Sequence, residues 1–343
     1  MKTLLTVASL TPILLFIGAC GEEETESPGT PPDPQSPWDV AFDYYSGEVG
    51  NSPGFTDMWF SDPEHGWACH GTRVFKYENG RWRLAADLDL VFPQYDFSLW
   101  SICAPAPNEV WVGAMFETRS ENFVFHYDGA AWETVHPGFS IWTTHDIFFV
   151  SPEEGWFGCW SYGPFYLLHY DHGTWTSDHE GIAFVSLSFT AADNGWGCGF
   201  DEASDWFVYH CDGSSWTQVT VPGEPVEQFC AIDFTAADDG WLCGDRGITS
   251  ALFHYDGARW TEVDNPLGGG GECAFCTPSY GWIADTAYMD NKSSFWDGET
   301  FTPYPWPWKG LGWISLYECA EDDVWACTTE RGGHAYILHF DGF

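Results

Sequence analysis

Three sets of residues have the types and spacing for chemistry. Five histidines, His126, His169, His210, His254 and His339, each stand just before a turn. As a set they resemble metal ligands, since neutral imidazole is the commonest metal-binding side chain. Cys69, Cys198, Cys243 and Cys327 recur at one position of a repeat, and Cys273-x-x-Cys276 has the form of half a redox or zinc site. Acidic turns such as Asp238-Asp239-Gly240 and Asp193-Asn194-Gly195 raise the question of calcium. Each set has a plainer explanation. No second Cys pair with suitable spacing accompanies Cys273-x-x-Cys276, and no EF-hand spacing is present. Asp and Gly are what turns require in any case.

The elements that hold these residues come from an internal repeat. Phe234–Trp260 (FTAADDGWLCGDRGITSALFHYDGARW) restates Phe189–Trp216 (FTAADNGWGCGFDEASDWFVYHCDGSSW). A Trp after a turn recurs every 40–45 residues, at Trp67, Trp111, Trp156, Trp196, Trp241, Trp282 and Trp325. A second ladder of turn glycines, Gly80, Gly129, Gly173, Gly213, Gly257, Gly298 and Gly342, gives the same count of seven. Within each repeat the pattern is four short strands, with a D-G hairpin turn between the third and fourth. Four strands per repeat of about 40–45 residues predict an all-β, seven-bladed β-propeller. A right-handed β-solenoid is the weaker alternative. Repeat seven stops at Asp341-Gly342-Phe343, before a fourth strand. Trp38–Tyr45 (WDVAFDYY) precedes repeat one and is expected to supply that strand, closing the last blade.

This frame sorts the reactive residues. Histidines on third strands point away from one another radially and are expected to pack within their own blades. The Cys position is Gly or Ala in other repeats, so it reads as a small buried site. Eleven cysteines follow Cys20, so at least one is unpaired or paired between chains. The best disulfide candidate is Cys276 with Cys319, six residues before the ladder Trp in adjacent repeats. The first strands line the axis. Ten residues before each ladder Trp stand Asp57, Ser101, Asp146, Ser186, Ala231, Glu272 and Ser315, a polar ring suited to water, a cation or a sugar hydroxyl. The loops on the same face carry Trp100, Trp142 and the segment PYPWPWKGLGW with Trp306, Trp308 and Trp313. These Trp are either a stacking platform or plugs between blades. The candidate ligand site is therefore Trp100, Trp142, Trp306, Trp308, Trp313, Asp57, Asp146 and Glu272.

The chain begins with Lys2, an apolar run and Ile17-Gly18-Ala19-Cys20, a secretory signal that resembles the bacterial lipobox. The resemblance implies lipidation of Cys20 and anchoring at the bacterial cell envelope. Residues 21–37 (GEEETESPGTPPDPQSP) have the composition of a disordered tether. The domains are thus 1–20 signal peptide, 21–37 tether and 38–343 propeller. The G-W, H-Y-D-G and D-G-x-x-W positions resemble bacterial surface propellers, including Asp-box (BNR-like), photosystem II assembly-factor-like and sortilin-like ones. The Asp-box itself is not matched, since His169 stands where its Ser would be.

With 11 Lys+Arg against 51 Asp+Glu, a net charge of −40, the chain lacks the basic face nucleic acid requires. Seven Arg, with no nucleophile or acid–base pair beside them, give no recognisable catalytic site, and no cofactor is indicated. The expected function is a monomeric, lipid-anchored propeller that binds a glycan or an extracellular protein on its loop face. The alternatives are a glycoside hydrolase or lyase on that face, or a scaffold for envelope complexes.

Overall fold

The computed structural model describes residues 32–45, 54–117, 122–161, 165–247, 249–268, 271–285, 292–308, 311, 314–328 and 333–342. Cys20 and Trp313 lie outside them. Among the described residues the only helical turn is Leu88–Val91; the remaining elements are strands. The first unit runs Phe55–Asp62, His65–His70, Arg73–Glu78 and Arg81–Asp87, paired antiparallel in chain order. The same up-and-down order recurs to the end of the chain. Two units share one eight-stranded sheet, where Thr143 bridges to Met115.

The last sheet differs in its source. Its strands are Ile314–Ala320, Asp323–Thr328, His334–Phe340 and, on the outside, Asp39–Tyr45. That outer strand pairs from Asp39 with His339 to Tyr45 with His334.

The first strand of each unit, its lead strand, is followed by a tight turn. The lead strands are Phe55–Asp62, Phe97–Ala106, Thr143–Ser151, Ile182–Ala191, Gln228–Ala236, Gly271–Thr277 and Ile314–Ala320. Each contacts the next, and Ile314–Ala320 contacts Phe55–Asp62, so they form a closed ring. Hairpin turns at the outside follow the D-G chemistry read from the sequence. Asp256 Oδ1 accepts from the amides of Ala258 and Arg259 at 3.0 and 2.9 Å, and Gly257 takes φ +83°.

The core lies between units and rests on one recurring sandwich. A ladder Trp stacks on the histidine of its own third strand and on a Phe from the next lead strand. Trp156 lies 4.4 Å from His169 and 4.1 Å from Phe189, and Trp241 lies 4.5 Å from His254 and 4.6 Å from Phe275. Each such Phe packs flat on the glycine preceding its own ladder Trp: a Cβ on Gly240 would sit 2.5 Å from the Phe234 ring. Two junctions break the rule. Ala104 and Glu318 replace the Phe, and Val110 and Val324 replace the Gly.

The histidines are therefore structural. His126, His169, His254 and His339 each contact a carboxylate of their own unit, Glu109, Glu154, Asp239 and Asp323, and His210 bonds Asn194. The expected Cys276–Cys319 bridge is not formed, and both are free, half-buried thiols. Facing sheets pack about 10 Å apart. A disulfide needs Cα atoms about 4.4–6.8 Å apart, so equivalent positions in neighbouring units are poorly placed for one.

Candidate binding face

Asp57, Asp146 and Ser186 of the expected polar ring are occupied in holding the lead strands together. Apart from the Thr143–Met115 bridge, each lead strand presents an inner edge whose amides have no further strand to pair with. Side chains of the preceding unit satisfy several of them. Asp57 Oδ2 accepts from the Ile102 amide at 2.8 Å, and Asp146 Oδ2 from the Leu187 amide at 2.6 Å. Ser186 Oγ accepts from the Ile232 amide at 3.1 Å. Two residues further along, Ser188 Oγ accepts from the Phe234 amide at 3.0 Å and Asp233 Oδ2 from the Phe275 amide at 2.7 Å. Period-two alternation brings both levels to the same side of the strand. A spacing of ten residues before each ladder Trp passes over Asp233 and Ser188, which stand eight before. The second register was the signal that would have found them.

Enclosure changes the chemistry of these acids. Burial pushes Asp57 up to about 7, and the negative charge of Asp146 adds to it. Burial likewise pushes Asp146 up to about 7 and Asp233 to about 6. Glu272 is held well above the usual carboxylate range, by burial first and then by Cys243, Asp57, Asp146 and Asp233. Unlike the aspartates, Glu272 makes no hydrogen bond or ion pair among the described residues. It is half-buried, and near enough to Asp57, Asp146 and Asp233 to feel their charge. Two residues beyond the ring, aromatic side chains meet across the axis. Trp59 lies 5.4 Å from Phe148, two units away, and 5.2 Å from Tyr317. The polar ring thus sits above an aromatic plug.

Above the ring the loop face is aromatic. In five units the pairing register shifts just before the ring residue, as between Leu99 and Ser101 or Thr144 and Asp146. Such bulges re-aim side chains. Trp100 and His145 are the residues displaced in this way. They meet edge to face at 6.3 Å. His145 stacks on Trp160 at 5.9 Å, and Trp160 meets Trp142 edge-on at 4.6 Å. Trp142 Nε1 donates to the Phe116 carbonyl at 2.6 Å, which fixes that ring. Burial pulls His145 down to about 4, so it is neutral at pH 7, and its Nε2 has no hydrogen bond among the described residues. Trp100, Trp142 and Trp160 stay half-buried, which leaves part of each indole open. Trp100 and Trp142 are thus brought together with His145 and Trp160, which the sequence reading had not selected.

The Pro-rich loop behaves differently. Trp306 is 1 % exposed and lies 5.0 Å from Trp38, which in turn packs on Trp282. It fills the gap beside the N-terminal strand and is removed from the set of ligand contacts. Trp308 is half-buried against Tyr336. No group of three or more His, Cys, Asp or Glu among the described residues is arranged to hold a metal ion.

No protein-family model matches the chain, and no curated protein matches it. Solved structures do. YCF48 bound to D1 peptide is similar at 16% identity and TM-score 0.61, covering 91% of this chain and 99% of that one. Streptogramin B lyase is similar at 11% identity and TM-score 0.63, covering 87% and 97%. The WD40 propeller domain of Doa1 is similar at 9% identity and TM-score 0.55, covering 88% and 96%. At these identities the likeness is one of fold, and it makes the chain an all-β propeller built from repeats.

Proposed function

We propose that this chain is a seven-bladed propeller, closed by its N-terminal strand, that captures a segment of an extracellular protein on its loop face. It does so at the bacterial envelope, tethered through Cys20. The observation that carries the reading is the Trp100–His145–Trp160–Trp142 cluster, half-open above an acidic ring. Rigid aromatics with some exposed surface are what protein-recognition hot spots are made of. Peptide binding by YCF48 shows that a similar fold can serve this use. The glycan reading loses Trp306, its best-placed platform, to the core. A lyase or hydrolase reading keeps one group, Glu272, a free carboxyl held protonated as a general acid would be. Its lack of a positioned partner weighs against it.

The test is a peptide array and a glycan array probed with the full chain and with Trp100→Ala. Peptide binding that falls about tenfold in the variant is the expected result. Binding confined to glycans would replace the reading with sugar recognition. Binding to neither, or binding indifferent to Trp100, would sink it.

A further inference from the structure

One groove lies outside the loop face and breaks two of the chain's own rules. It has a volume of about 450 Å³ and runs between the outer hairpin of the first unit and the second unit. Its base is Trp67, the ladder Trp whose partner on the next lead strand is Ala104 instead of Phe. Trp67 lies against Tyr127 at 5.8 Å, a looser form of the contact Trp196 makes with Tyr255 at 5.0 Å, and Tyr127 lies against Trp132 at 5.3 Å. One wall is therefore aromatic. The opposite wall is Leu84, 51% exposed on the outer strand. A space of this volume lies within the range of small-molecule sites, about 300–1,000 Å³.

The second broken rule is charge. The chain has 11 Lys+Arg in all, and four of them, Arg73, Lys76, Arg81 and Arg83, fall in the hairpin Arg73–Asp87. Lys76 replaces the stacking histidine of other units. Its Nζ lies 5.1 Å from the Trp67 ring centre and bonds Asn108 Oδ1 at 2.9 Å. Lys76 and Arg83 share a single carboxylate, Glu78, so the pair keeps one positive charge in excess. Asp128 keeps its charge, held by the Ala130 and Ala131 amides, but it is not among the residues lining the groove, which include Lys76 and Arg83 and no carboxylate. Surface charges act over about 8 Å at physiological ionic strength. At that range the two lining cations are the charges that a ligand in the groove meets first.

We infer that this groove is a binding site for a small planar aromatic anion, its ring between Leu84 and Trp132 and its acidic group toward Arg83 and Lys76. The probes are naphthalene-2-carboxylate and its neutral analogue 2-naphthamide, titrated calorimetrically into the full chain. The carboxylate is expected to bind about tenfold more tightly than the amide. Arg83→Glu, at a side chain 47% exposed, should erase that difference without changing the melting temperature. Ala131→Trp fills the groove and should abolish binding of both. Trp100→Ala should leave both unchanged, which separates this site from the loop face. Equal binding of acid and amide, or a preference that survives Arg83→Glu, would overturn the assignment. If Ala131→Trp fails to fold, the Arg83→Glu comparison decides alone.

Discussion

Seven residues before each ladder Trp, one side chain decides how neighbouring units meet. Where it is Phe, the ring lies flat between a Trp and a Gly. Where it is Glu318, a carboxylate sits in that place with neither oxygen hydrogen-bonded in ordinary geometry among the described residues. Burial first, then the charge of Asp233, pushes Glu318 well above the usual carboxylate range, with the Cys276 backbone opposing. A buried acid without a full set of partners is held in its neutral form at a cost in stability. Glu318→Leu is therefore expected to raise the urea midpoint, and to raise it more at pH 8 than at pH 5. An unchanged midpoint at both values would show that Glu318 is satisfied by another route. The sequence displayed this substitution openly, since Phe60, Phe149, Phe189, Phe234 and Phe275 occupy the equivalent place. What it could not display was that the position is buried between units. The same limit hid the fate of Trp306, whose type fits a core and a platform equally well.

The elements were more legible than the contacts. Two ladders of Trp and Gly fixed where strands and turns fall, because turn chemistry and period-two alternation are local. Pairing between units depends on which faces meet, and that was only partly visible. The compensation at Ala104 and Val110 is an example: a small residue where Phe is usual, and a larger one where Gly is usual. Restoring the rule on one side alone should fail. Ala104→Phe drives a ring into Val110 and is expected to cost about 1–3 kcal/mol by overpacking. Adding Val110→Gly should recover most of that loss, a coupling of about 0.5–3 kcal/mol in a double-mutant cycle by urea denaturation. Strictly additive effects would mean that the two positions do not share one packing site. The bulges at Trp100 and His145 were not legible at all, since nothing in residue type announces a shifted register.

At the scale of the molecule, acids are concentrated both on the surface and at the axis. Asp57 and Asp146 have folded values of about 7 and Asp233 about 6, against 3.8 when free. The folded state therefore holds more protons than the unfolded state between these limits. The slope of unfolding free energy with pH is then negative: the stability is complete below about pH 4 and is lost as pH rises through 6 and 7. A urea midpoint that falls between pH 5 and pH 8, with a shallower fall in Asp146→Asn, is the expected outcome. A midpoint that rises over that range would show the axial acids to be ionised and paired. The closed ring also has a consequence in time. Asp39 pairs with His339, so nearly the whole chain separates the two partners of the last sheet. Contacts this remote in sequence are slow to form. During synthesis Asp39–Tyr45, with Phe42 and Tyr44 on one side, has no partner until His334–Phe340 emerges. The cylinder stays open for that interval, and joining of these two strands becomes the step that commits the molecule to its native form.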